Sequence, residues 1–203
     1  QPGYLGQRFP VSDLGQAGSE SLIDLYSRVL VFYDSNQRLP TYATITPWLI
    51  EDYNSPASNL AYSADLQQYL PATTNCQSND SRIIALAQSI TADCTTTYEM
   101  GLAIYNWVRD YMDYSFYYNS QKGAVDYMLN GSANCCDLSH LIVALSRSVN
   151  LPARYKHGTC TFSSGTYGHV WAEIYVNGKW VTADASSNAN SFGTITNWNT
   201  STY

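Results

Sequence analysis

The sequence predicts an α+β fold in which helices come first and an antiparallel sheet follows. Three observations predict it. Apolar residues recur at helical spacing as far as Val149, and the period changes to two after Pro152. Helix starts are signalled at Asp80, at Thr96 with Glu99, and at Asn134. The dipeptide Asn177-Gly178, flanked by alternating apolar residues, marks a tight hairpin. Helices followed by hairpin-linked strands make the α+β arrangement.

In chain order, Ser19 to Gln37 carries Leu22, Ile23, Tyr26, Val29, Leu30 and Tyr33, the stripe of an amphipathic helix. Arg38-Leu39-Pro40 ends it, because the residue before a proline avoids the α region. Thr41 to Trp48 reads as extended. Residues 51–79 are rich in Ser, Asn, Pro and Ala, but Tyr53, Tyr62, Leu66 and Tyr69 interrupt them. That predicts a connector packed on the surface, with a short helix at Ala64 to Leu70. Asp80 caps a helix over Ser81 to Ile90. Thr96 and Glu99 open a second, with Met100, Ala103, Ile104, Trp107, Val108 and Tyr111 at helical spacing. Asn134 opens a third, with Leu138, Leu141, Ile142, Leu145 and Val149 on one face and Pro152 as its stop. Ala153 to Phe162, His169 to Val176 and Lys179 to Ala185 read as strands. From Ser186 the tail is polar with scattered aromatics.

The chain has 203 residues, enough for one catalytic-size domain and a small appendage. Charged residues are 13%, about half of the roughly 25% usual for soluble domains. With 18 Tyr and 5 Trp the composition is not that of a disordered chain. A net charge of −6 without a basic run argues against nucleic acid as a partner. No apolar stretch approaches the ~18 residues of a membrane span, and no signal-like start is visible. An odd count of 5 cysteines excludes a fully paired disulfide framework within one chain. Cys76 with Cys94 is the candidate bridge.

The hairpin yields a site. A two-residue Asn177-Gly178 loop places Val176 opposite Lys179, hence Trp171 opposite Asp184 and His169 opposite Ser186. Alternation puts His169, Trp171, Asp184 and Ser186 on one face. His169 and Asp184 become diagonal neighbours, with Cα atoms about 7–8 Å apart, within reach of a hydrogen bond. Cys135 begins the third helix, where unpaired N–H groups and the helix dipole favour a thiolate. Cysteine, histidine and aspartate in these places supply nucleophile, base and orienting acid. A zinc site from His140, His157 and Cys160 is the metal alternative, with no motif behind it.

Five blocks carry a family resemblance. They are Ile104 to Asp110, Cys135 to Leu141, Leu151 to Arg154, His169 to Tyr175, and Trp180 to Asp184. In these blocks, over roughly residues 80 to 186, the chain resembles the transglutaminase-like cysteine peptidase superfamily. The resemblance implies Cys135 as nucleophile, His169 as base and Asp184 as orienting acid. Where the family usually has glycine two residues before its cysteine, this chain has Ala133, which leaves Cys136 as the alternative nucleophile. Residues 75–93, 156–180 and 190–201 are similar to pseudomurein endoisopeptidases, the lysins of methanogen viruses and proviruses. Residues 22–45 resemble a pseudomurein-binding repeat.

The domain expectation is therefore a repeat-like helical segment at 1–50, a connector at 51–79 and a transglutaminase-like catalytic domain at 80–203. The resemblance implies hydrolysis of an alanine–lysine ε-isopeptide bond in the pseudomurein cross-bridge, outside the cell on the archaeal wall. A monomer is expected, exported or released by host lysis. Tyr114 is the candidate second oxyanion donor beside the Cys135 N–H. Tyr167 and Trp171 are candidate substrate contacts, with Tyr117 and Tyr118 as further aromatic surface. The chemistry requires no cofactor. A divalent cation, calcium, is implied by the lysin resemblance, although no calcium loop is recognisable. Two other readings stay open: a non-catalytic wall-binding or adhesion protein, and a transamidase or peptidase acting on other peptides.

Overall fold

The computed structural model describes residues 53–202. The helix expected over Ser19 to Gln37 and the extended stretch after it lie outside the described residues. The chain divides into two units, Gln1–Leu49 and Ile50–Tyr203, and the described residues belong to the second. Its helices are α1 (Ala64–Gln67), α2 (Ser81–Thr91), α3 (Thr97–Tyr111), α4 (Gly123–Asn130) and α5 (Cys135–Ser148). Its strands are β1 (Asp113–Tyr114), β2 (Ser132–Ala133), β3 (Ala153–Phe162), β4 (Gly165–Val176), β5 (Lys179–Ala183) and β6 (Trp198–Thr202). The fold is α+β, as expected.

Local chemistry explains the helix starts. Asp80 accepts the Arg82 N–H at 2.9 Å. Thr96 and Glu99 form a reciprocal capping box. Asn134 accepts the Asp137 N–H at 3.0 Å, so Cys135 is the first residue of α5. The far end of α5 departs from expectation. The helix ends at Ser148, and Asn150 takes φ 63°, so an asparagine in the left-handed region turns the chain ahead of Pro152.

Helix α5 is the hub of the core. Leu141, Ile142, Val143, Ala144 and Leu145 are all fully buried, so the helix is apolar on nearly every side, as a central helix must be. It packs on the face of the sheet formed by Ala172, Ile174 and Val176 of β4 with Val181 and Ala183 of β5. Ile83 and Ala87 of α2, and Met100, Ile104 and Val108 of α3, belong to the same core.

The main sheet has the order β5-β4-β3-β6, with antiparallel pairing throughout. Val176 opposes Lys179 and Ala172 opposes Ala183, the expected hairpin register. Asn177 at φ 50° and Gly178 at φ 80° make a turn whose twist suits the strands. Three features were not expected. Strand β4 begins at Gly165, four residues early. The polar tail contributes β6, which pairs with β3 through Phe162↔Trp198. Short β1 and β2 pair in parallel, with Tyr114 opposite Ala133. That pairing brings Tyr114 beside the start of α5.

Candidate active site

Strand β5 stops at Ala183, opposite Ala172. By alternation, Val170 turns its N–H and C=O toward the edge that β5 has vacated. Buried backbone groups need partners, and the first turn of α5 supplies them. The Val170 N–H favours the Cys135 thiolate, and Ser139 Oγ lies 3.4 Å from the Val170 carbonyl and 2.7 Å from that of Cys135. The end of one strand thus docks the cysteine against the strand that carries His169.

His169 Nε2 lies 2.8 Å from Asp184 Oδ2, which leaves Nδ1 for Cys135, a neighbour that raises the imidazole. Asp184 is almost wholly buried. Its carboxylate also accepts Trp198 Nε1–H at 2.5 Å and the Ser186 N–H at 3.0 Å. Burial alone would protonate it, but His169, Ser186 and Trp198 hold it below the usual carboxylate range. Burial likewise disfavours a charged imidazole. The Asp184 carboxylate and the Cys135 sulfur overcome that and lift His169 to about 9. At Cys135 the neighbouring Cys136 thiol, the His169 ring and the Val170 N–H together outweigh burial and bring the thiol down to about 4. Near neutral pH the arrangement is a thiolate beside an imidazolium, the activated state of a cysteine nucleophile.

The other expected site residues fall into two groups. Tyr114 is 46% exposed, and partial burial followed by the field of Cys135 raises its phenol to about 12. It therefore stays a protonated donor close to the cysteine. Tyr167 is exposed and rests on Phe162, its phenol 2.9 Å from the Ser164 carbonyl. Tyr118 is exposed beside Phe116. Trp171 must be corrected. Only 3% exposed, it stacks on His169 and tilts against Trp198, with ring centroids 6.1 and 4.7 Å apart. The pleat puts it on the His169 face, but there the Trp198 ring packs over it, so Trp171 lies against the imidazole and exposes almost no surface.

The zinc trio does not assemble. His140 Nδ1 pairs with the Tyr155 hydroxyl at 2.8 Å, His157 is exposed, and Cys160 is buried with Trp171 and Trp198. Among the described residues no three His, Cys, Asp or Glu side chains group to hold a metal ion. No disulfide joins the five cysteines, Cys76 and Cys94 included.

Sequence reasoning missed Trp198 and the role of Asp137. An acidic residue in the first turn of a capped helix reads as a dipole complement. Asp137 is instead fully buried and accepts five hydrogen bonds: from Tyr117 and Ser120 hydroxyls at 2.7 and 2.6 Å, and from the N–H groups of Gln121, Lys122 and Gly123 at 2.9, 3.1 and 3.0 Å. One carboxylate ties the 117–123 loop to α5. Asp137→Asn would face one amide donor toward these donors. It is expected to lower the unfolding free energy by about 3 kcal/mol, seen as a lower urea midpoint with unchanged slope.

Comparison with known proteins shows the family to which the fold belongs. The model of the transglutaminase-like superfamily matches residues 84–185, and that of the pseudomurein-binding repeat matches residues 18–45. A solved structure from Cytophaga hutchinsonii, described as a candidate cysteine protease, superposes with a TM-score of 0.58 at 28% identity, over 70% of this chain and 48% of that one. The periplasmic domain of TgpA from Pseudomonas aeruginosa superposes with a TM-score of 0.48 at 15% identity, over 60% and 48%. This chain spans about half the length of either. No curated protein matches it.

Proposed function

The chain belongs to the transglutaminase-like superfamily, and from that premise we propose that it is a cysteine endoisopeptidase that cuts the alanine–lysine ε-isopeptide bond of pseudomurein cross-bridges. The observation that carries the reading is the line from buried Asp184 through buried His169 to partly exposed Cys135 at the start of α5, with 2.8 Å between aspartate and imidazole. The wall as target is supported by the repeat matched at residues 18–45.

Each step uses one of these groups. The Cys135 thiolate attacks the alanine carbonyl carbon, forming a C–S bond and an oxyanion. The Cys135 N–H and the Tyr114 hydroxyl donate to that oxygen. His169 passes its Nδ1 proton to the lysine ε-nitrogen as the C–N bond breaks, and the free amine leaves. Neutral His169 then takes a proton from water, whose oxygen attacks the thioester. Collapse releases the alanine carboxylate and restores the thiolate and imidazolium. Asp184 stays ionised throughout and holds the imidazole in the productive tautomer.

Mass spectrometry of purified pseudomurein after digestion tests the reading. Fragments ending in free lysine ε-amines, with the matching alanine carboxylates, are the expected products. Intact cross-bridges after prolonged digestion would overturn it. Added lysine emerging as a new amide, in place of the carboxylate, would reassign the chain as a transamidase.

A further inference from the structure

A cavity of about 330 Å³ opens on the second unit and is lined by Tyr69, Arg147, Arg154, Tyr155 and Lys156. Arg147 stands at the opposite end of α5 from Cys135, roughly 18 Å along the helix axis. Three of the chain's 10 Lys and Arg residues thus meet at one concave site on a protein of net charge −6.

Among these cations, Arg154 is answered by a carboxylate and Arg147 by backbone carbonyls. Arg154 pairs with Glu173 at 2.7 Å, and its guanidinium lies 4.1 Å from the Trp180 ring centroid. Arg147 places Nε and Nη2 on the Ala153 carbonyl at 3.0 and 2.7 Å, and Nη1 on the Pro71 carbonyl at 2.6 Å. Those acceptors are neutral. They fix the guanidinium without cancelling its charge, and among the described residues no carboxylate pairs with Arg147. The Tyr155 hydroxyl is tied to His140 at 2.8 Å, so the phenol wall is fixed as well. Pre-oriented guanidinium groups beside an aromatic wall match a planar oxyanion.

We propose that this cavity is an exosite for a carboxylate carried by the peptide portion of the wall polymer, holding the polymer while a cross-bridge lies at Cys135. The assignment rests on the peptidase reading for its ligand and on charge complementarity for its place. It makes the cavity a determinant of polymer affinity and leaves the chemical step to the triad.

Titration of the arginine Nε–Hε NMR resonances with acetyl-alanyl-glutamate amide, which carries a single side-chain carboxylate, tests it. Saturable shifts at Arg147 and Arg154 are expected, with a Kd of about 1–10 mM. Lys156→Gln, which spares the Arg147 bonds to backbone, is expected to weaken binding at least about threefold. The same variant should raise KM on wall polymer to a similar extent and leave kcat on a small neutral isopeptide unchanged. The proposal is overturned by absent shifts, by equal shifts with the neutral acetyl-alanyl-glutamine amide, or by tighter binding of inorganic phosphate than of the carboxylate. Absence of wild-type turnover would sink the peptidase reading instead, and the titration would still report on the cavity.

Discussion

Cys135→Ala is expected to cut turnover of wall polymer by at least about 10³-fold, whereas Cys136→Ala keeps it within about tenfold of wild type. The two sulfurs are adjacent in sequence but not in circumstance. Cys135 has the Val170 N–H and the His169 ring as partners. The Cys136 thiol is pushed up by the Cys135 sulfur, by burial and by Asp137, so it stays protonated and donates to its neighbour. Cys136→Ala removes that donor, so the Cys135 thiol should rise from about 4 and the acid limb of kcat/KM should move to higher pH. Alkylation by iodoacetamide across pH reads the same change without substrate. Retained turnover in Cys135→Ala, with loss in Cys136→Ala, would exchange the two assignments.

Much of this site was legible because each part has a local signature. Asn134 announces a helix start through its capping chemistry, and the start places Cys135. The pair Asn177-Gly178 demands a tight turn, whose register carries Asp184 to His169. Both inferences depend on backbone preferences spanning a few residues. Trp198 could not be found that way. Its strand pairs with residues 36 positions away, between Phe162 and Trp198, and the segment lacks the apolar alternation that marks a strand. Period also misled at Trp171. Alternation specifies the face of a sheet, but the burial of Trp171 on that face depends on the Trp198 side chain. Asp137 was visible only as a charge near a helix dipole, because its five donors come from a loop without periodicity.

Replacing Asp184 by asparagine tests the electrostatics of the whole site. The wild-type pH dependence has two limbs. Cys135 is a thiolate above about 4, and activity is lost as pH falls through that value. The His169 proton persists up to about 9, and the imidazolium is lost as pH rises through it. A bell-shaped kcat/KM with limbs near those values is expected. Asp184→Asn keeps an oxygen that can accept from Trp198 or Ser186 but can turn an NH₂ group toward His169 Nε2. The imidazole must then accept at Nε2 and carry its proton at Nδ1, so it cannot take a proton from the nucleophile. A loss of about 10³–10⁴-fold in kcat at neutral pH is expected. Without the carboxylate that raises it, His169 should also lose its proton nearer the ordinary ~6.5, and the alkaline limb should fall accordingly. A structural role alone would lower the yield of folded protein and leave that limb in place. An Asp184→Asn protein that melts like wild type, keeps its alkaline limb near 9 and turns over within about threefold would remove Asp184 from the mechanism. Cys135 and His169 would then act as a dyad.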